Sequence, residues 1–389
     1  MQKAFAQQKK LIVVALAAAA FSSPALAETA NVSVYGTADM SFDLINTGST
    51  AAGIAGVSKN AVSSNVSKLG FKGSEGLDDG LSAIWQIEQQ INMDNTGGTF
   101  GTRNTFLGLK SDSAGTVLLG RHDTPYKLAT RKLDIFGDSI ADNRALLGGV
   151  SAAATTTAAN AAANGKSAGA SFDGRQPDVI AYISPSMSGF TGALAYVAGA
   201  EAATSAANIK GSAWSLAGMY DVAPFYGSLG YEVHNIGTVA TGTLAAPTLL
   251  GALAGFKESA TKLGFGYKFD ALDLGFVYER TSDNFGTVGA NLLGHNAYYL
   301  SGKYRFGSDA VKLAYGKAGK LGTIVNSGAN QFSLGYDHSL SKRTNLYAIY
   351  SRISNQSAVN YVFSQTTATS ANGAGASPSV FSFGMKHSF

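Results

Sequence analysis

Between Val32 and Leu44 the chain alternates without a break. Val32, Val34, Gly36, Ala38, Met40, Phe42 and Leu44 take one set of positions, and Ser33, Tyr35, Thr37, Asp39, Ser41 and Asp43 take the other. Successive side chains of a strand point to opposite faces, so this stretch reads as a strand with one apolar and one polar face. The pattern returns where Ala83, Trp85, Ile87 and Ile91 oppose Ser82, Gln86, Glu88, Gln90 and Asn92. About sixteen such segments follow one another, near residues 31–45, 63–73, 80–93, 101–111, 115–122, 174–186, 188–200, 211–222, 224–236, 260–270, 271–283, 294–306, 309–320, 328–340, 343–356 and 377–389. An even count of this size predicts an all-β fold, a transmembrane antiparallel β-barrel of about 16 strands. Closure is expected on physical grounds, because a free strand edge in hydrocarbon would expose a row of unpaired backbone groups.

Alternation alone does not say which face meets water, since a soluble sandwich shows the same period. The N-terminus and the composition decide the sign. Met1–Ala27 has Lys3, Lys9 and Lys10 ahead of the apolar run Leu11–Phe21 and ends in Ala25-Leu26-Ala27. That is the layout of a cleaved export signal, with an apolar run shorter than the roughly 20 residues of a spanning helix. The expected organisation is therefore residues 1–27 as signal and 28–389 as barrel. Removing the three signal lysines from 29 basic residues leaves 26 against 25 acidic ones, a formal charge of +1. No clustered basic excess remains of the kind that nucleic-acid binding needs. Cysteine is absent, which excludes thiol catalysis, cysteine metal sites and a disulfide framework. Charged residues make up 14% of the chain, with 47 Gly, 21 Phe and 17 Tyr, whereas a soluble domain carries about a quarter charged residues.

The connections alternate as an outer-membrane barrel requires, short turns at one end and long loops at the other. Gly73–Asp79, Asp112–Ala114, Asp221–Pro224, Asp270-Ala271, Gly307-Ser308 and Ser341-Lys342 are tight and rich in turn formers. Asn46–Val62, Gly237–Ser259 and Asn355–Ala376 are long and poor in charge.

One segment fits neither wall nor plain loop. Gly120–Arg144, GRHDTPYKLATRKLDIFGDSIADNR, holds five basic and four acidic residues from Arg121 onward. A barrel of this width leaves an aqueous channel unless something narrows it, and this segment is the candidate. Asp134, Asp138 and Asp142 are spaced by four, which in a helix would place them on one side; a solvated external helix fits the same spacing. On the wall, Lys68 shares parity with Lys72 and opposes Leu69 and Phe71. Facing lipid at the midplane, such a lysine would cost about 2–4 kcal/mol, so Lys68 is assigned to the water side.

Several motifs, in order along the chain, resemble the general porins of β-proteobacteria: VSVYGTAD (Val32–Asp39), SKLGFKGSEGLDDGLSAIWQIE (Ser67–Glu88), GTVLLGR (Gly115–Arg121), SLSKRTNLYAIY (Ser339–Tyr350) and FSFGMKHSF (Phe381–Phe389). The resemblance implies a homotrimer of sixteen-stranded barrels in the Gram-negative outer membrane, surrounded by lipid and lipopolysaccharide. Each barrel is then a water-filled pore for small hydrophilic solutes and ions, needing no cofactor. The third external loop, about residues 122–173, is expected to fold inward. Family position adds Arg103, Arg121 and Arg175 to the basic wall, and makes Phe389 the C-terminal signal read by the outer-membrane assembly machinery; an aromatic girdle residue is the other reading of Phe389. Where the family often has a Pro-Glu-Phe-Gly-type signature, this chain has Asp134-Ile135-Phe136-Gly137, followed by an Ala, Thr and Asn-rich run from Ser151 to Ala170.

By strand parity Arg121 falls with Val117 and Leu119, and Arg103 with Leu107 and Leu109. Either a bulge shifts the phase, or these charges snorkel or line a protein interface. Opposed charges across the narrowest zone would set ion preference within about 8 Å, and a basic wall predicts a mild preference for anions. A barrel enzyme and an adhesive or structural barrel are the competing functions. His122-Asp123 and His338-Ser339 are sequence neighbours whose side chains diverge in a strand, so neither pair makes a nucleophile–base couple, and no metal-ligand spacing is present.

Overall fold

The computed structural model describes residues 31–94, 100–149, 172–198, 212–235, 257–284, 287–364 and 373–389. The signal at 1–27, the Ala-rich run at 151–170 and parts of five other connections lie outside the described residues.

Seventeen strands form one sheet that closes on itself. They are β1 (Asn31–Asn46), β2 (Ser58–Ser64), β3 (Lys68–Gly76), β4 (Leu81–Gln90), β5 (Thr105–Ser111), β6 (Gly115–Asp123), β7 (Arg175–Ile183), β8 (Phe190–Val197) and β9 (Ser212–Val222). Then come β10 (Phe225–Asn235), β11 (Lys257–Phe269), β12 (Leu272–Asp283), β13 (Asn296–Phe306), β14 (Asp309–Ala318), β15 (Ala329–Ser339), β16 (Thr344–Asn355) and β17 (Ser379–Ser388). Every pairing is antiparallel, and each strand from β3 to β17 pairs with the next in sequence.

The wall nevertheless has sixteen positions, because β2 and β3 are halves of one strand that both pair with β1. Met40 pairs with Ser64 and Thr37 with Lys68, so the broken side has one extra residue, a bulge at Asn65–Ser67. Val66 takes φ 56 there, and the Ser67 hydroxyl accepts from the Asp39 N–H at 2.9 Å and donates to the Asp39 carbonyl. The polar groups that the bulge would orphan are thereby satisfied.

Closure is made by β1 against β17, from Thr37 opposite Ser388 to Asn46 opposite Ser379. Phe389 extends it through two backbone hydrogen bonds with Gly36, at 3.0 and 3.1 Å. The two faces separate as the alternation predicts. Asp43, Ser215, Lys262, Glu279, Ser351 and Ser382 are buried, while Val34, Leu216, Phe265, Leu300, Leu334 and Phe383 on the opposite parity are exposed. The polar set faces into the barrel and the apolar set faces the membrane.

Candidate channel constriction

After β6 the chain turns off the wall. Thr124 caps a short helix, α1 (Pro125–Arg131): its side chain accepts from the Lys127 N–H, and Pro125 occupies the first turn, where no donor is missed. The helix lies on the polar face of β9, β10 and β11. The Tyr126 N–H donates to the Ser215 hydroxyl at 2.9 Å, the Tyr126 hydroxyl donates to Glu279 at 2.8 Å, and the Tyr226 hydroxyl donates to the Ala129 carbonyl at 2.5 Å. Glycines on the wall make this approach possible. A Cβ on Gly264 would stand 2.8 Å from a Leu133 methyl, and one on Gly335 would stand 2.7 Å from the Phe136 ring.

From Leu133 to Leu147 the segment is a chain of turns with a single 3-10 turn at Asn143–Ala145 rather than one α-helix. Phe136, Ile140, Leu146 and Leu147 are buried in a cluster with Leu292, Leu293, Leu321, Tyr361 and Phe363, so an apolar core holds the segment to one side of the lumen. Asp134, Asp138 and Asp142 converge by another route than helical spacing. Arg131 reaches all three, at 3.3, 2.6 and 3.0 Å, and Arg144 reaches Asp138 at 3.3 Å and Asp142 at 2.7 Å.

The environments of the three carboxylates differ. Asp134 is enclosed, accepting from the Tyr299 hydroxyl at 2.9 Å and the Asn143 N–H at 3.0 Å; burial and the neighbouring Asp142 outweigh Arg131 and raise its carboxyl to about 6. Asp142 is also buried, but Arg131 and Arg144 overcome that cost and hold it well below the usual range. Asp138 keeps 35% of its side chain exposed. Its burial is outweighed by Arg131, with Arg144 and Arg103 adding to the pull, and its carboxyl is lowered. It is the acid that faces water, and Arg103 is within its electrostatic reach. Burial lowers the Lys127 ammonium to about 8, against the pull of Asp123.

The four wall cations separate into two clusters and one isolated side chain. Lys68 and Arg103 both meet Glu88, at 3.4 and 2.5 Å, and the Tyr35 hydroxyl donates to the same carboxylate at 3.0 Å. Arg175 pairs with Asp123 at 3.0 Å, and Lys127 of α1 joins that carboxylate at 2.7 Å. Arg121 is half-buried and donates to the Thr102 carbonyl at 3.0 Å, with no carboxylate partner among the described residues. Phase shifts account for the parities. Residues 100–104 are not a strand, and the Arg103 N–H bonds to the Glu88 carbonyl outside the regular ladder. Between Gly120 and His122 the pairing with β7 slips, with Gly120 at φ 138 and Asp178 at φ 54.

The carboxylates that neutralise this wall carry no mark in the alternation. Glu88 lies on the polar face of its segment and Asp123 beside His122 in the sequence; their pairing with the wall cations needs the register, which alternation does not supply. The same is true of Arg131 and Arg144, whose partners are set by the fold of the loop.

The comparisons with known proteins agree with this architecture. A family model described as Gram-negative porin matches residues 14–358. The chain belongs to the Gram-negative porin family. The porin is 28% identical to outer membrane porin protein 32 of Delftia acidovorans over 98% of its own length and 100% of that protein. It is 27% identical to an outer membrane porin protein of Bordetella pertussis over 80% of this chain and 81% of that one. Among solved structures, the anion-selective porin from Comamonas acidovorans matches with a TM-score of 0.75 at 25% identity, covering 92% of this chain and all of that one. The porin is thus an outer-membrane barrel whose lumen passes small hydrophilic solutes and ions by passive diffusion.

Proposed function

We propose that Thr124–Gly149 is the constriction of the channel, facing the wall at Lys68 and Arg103, and that the pore mildly prefers anions. The observation that carries this is the convergence of a buried loop and a charged wall with a basic surplus. Lys68, Arg103, Arg121, Arg175, Lys127, Arg131 and Arg144 stand against Glu88, Asp123, Asp134, Asp138 and Asp142, seven cations to five carboxylates. Opposite charges across a narrow aqueous zone set up a transverse field that favours the ion of the minority sign. The Comamonas porin, described as anion-selective, supports the same sign. No chemical step is assigned to the barrel. A homotrimer, a lipopolysaccharide-containing outer leaflet around it and recognition of Phe389 by the assembly machinery complete the reading.

Purified porin in a planar bilayer tests it. Conductance should rise in triplets of equal steps, and the reversal potential in a salt gradient should lie on the anion side. Lys68→Glu with Arg103→Glu should move it toward cations. An unmoved reversal potential in a folded double variant would take these residues out of the constriction.

A further inference from the structure

The lumen carries a second charged zone at its short-turn end. Against the inward faces of β13 to β17 lies a cavity of about 360 Å³, at the mouth that faces the periplasm in an outer-membrane barrel. Five cations line it: Lys303, Arg305, Lys342, Arg343 and Lys386. Two carboxylates do so as well, Asp309 and Asp337, and both are engaged. Asp337 pairs with Lys312 at 2.7 Å and with Lys303 at 3.6 Å, while Asp309 accepts from the Tyr336 hydroxyl at 2.6 Å and pairs with His338 at 2.7 Å. Register explains both the space and the charge. Arg305 stands opposite Ala310, which stands opposite Asp337; Ser339 stands opposite Asn345, which stands opposite Lys386. These positions share parity with the buried Ser301, Ala314, Ser333, Ser351 and Ser382, so they face the lumen, and the short side chains between the long ones leave room.

The tight turn between β15 and β16 supplies the two cations at the rim. Its Ser341 hydroxyl accepts from the N–H groups of Arg343 and Thr344 at 3.2 and 3.0 Å, and the Arg343 carbonyl accepts from the Ser388 N–H at 2.9 Å. The turn is thereby fixed to the end of β17. Lys342 and Arg343 are exposed there, with no carboxylate partner among the described residues. Cations that converge from β13, from this turn and from β17 are met best by a ligand with more than one anionic group. Guanidinium and ammonium groups bind carboxylate and phosphate oxygens alike, and a cavity near the low end of the usual range for ligand sites, about 300–1,000 Å³, admits a small one.

We infer that this cavity binds a small multivalent oxyanion, with carboxylate or phosphate groups, that enters from the periplasmic side, and that the bound anion narrows the inner mouth of the pore. The site shares no residue with the proposed constriction and rests on the lumen being open to small solutes. The test is single-channel recording in planar bilayers at low salt, with citrate or pyrophosphate added to one side at a time. Orientation is read in an S113C background, in the short β5–β6 turn, with a maleimide too bulky to cross the pore. Block should set in at a far lower concentration from the turn side than from the loop side. K342Q/R343Q should raise the turn-side half-blocking concentration roughly tenfold, about threefold for each exposed cation, while K110Q, at the same end but outside the cavity, should keep the wild-type value. Block by citrate alone assigns the site to carboxylates, and block by pyrophosphate alone assigns it to phosphates. Equal block from both sides, equal block by acetate at matched ionic strength, or an unmoved half-blocking concentration in the double variant would each overturn the site and leave the channel standing. Should the pore not conduct, calorimetric titration of the two anions into refolded wild type and double variant decides, and equal binding overturns the site. Should the double variant fail to refold, K342Q and R343Q singly take its place.

Discussion

Arg131 organises the proposed constriction. Among the described residues it is the one side chain that contacts Asp134, Asp138 and Asp142 together, and two of those carboxylates have fully buried side chains. Removing one partner of a buried ion pair costs about 3–5 kcal/mol, because the abandoned charge stays out of water. Arg131→Met should therefore loosen the docked segment, taking the low end of that range since Arg144 still serves Asp142. Trypsin cleavage after Lys127 and Lys132 in folded protein measures it, and the rate should rise on the order of 100-fold. Asp134 makes a second prediction at this scale. Its carboxyl is raised to about 6, so the contribution it makes to the docked state is complete below the free carboxyl's value and is lost as pH rises through about 6. The charge count moves with it: protonating Asp134 turns seven cations against five carboxylates into seven against four. Anion preference should strengthen from pH 7 to pH 5 with a midpoint near 6, and Asp134→Asn should abolish the change in reversal potential.

At the scale of elements, the bulge between β2 and β3 sets which way Lys68 points. The extra residue at Asn65–Ser67 lets Ser63 and Lys68, which differ in parity, both face inward, opposite Ser41 and Thr37. Deleting Asn65 and Val66 together would leave one residue opposite two, and an uninterrupted ladder would then force one half-strand to show its wrong face. If β3 turns, Lys68 and Lys72 meet lipid at about 2–4 kcal/mol each near the midplane. Refolding yield, read as the folded band in a heat-shift gel, should fall sharply, whereas Val66→Gly should refold well. This element also shows what a sequence can and cannot reveal. Alternation exposes the wall from Val32 to Phe389, because period two is written into each strand separately. Bulges at Val66, before Thr105 and opposite Arg121 leave no mark in that period, since each is a relation between two strands. The same holds for the segment after α1. The spacing of Asp134, Asp138 and Asp142 suggested a helix, but the arginines that gather them and the apolar residues that bury the segment fold it as turns, overriding local periodicity.

For the whole molecule the decisive contact is the one that closes the barrel. Ten residue pairs join β1 to β17, from Thr37–Ser388 to Asn46–Ser379, and Phe389 adds the last two hydrogen bonds, to Gly36. Gly36 has no side chain to compete for the space: a Cβ there would stand 2.4 Å from the Phe389 ring. Half of Phe389 remains exposed, so the ring both covers Gly36 and presents itself outward. The two roles predict different magnitudes. Deleting Phe389 removes two backbone hydrogen bonds at the end of a long ladder, together worth about 1–3 kcal/mol, while the other ten pairs keep the seam closed. Refolding into detergent micelles should therefore survive, with a modest drop in unfolding temperature. If Phe389 is also read during assembly, the amount of barrel in the outer membrane of expressing cells should fall far more than this loss of stability explains, and Phe389→Tyr should restore most of it. A drop in cells no larger than that of a Thr37 variant of matched stability would leave Phe389 as a seam residue alone.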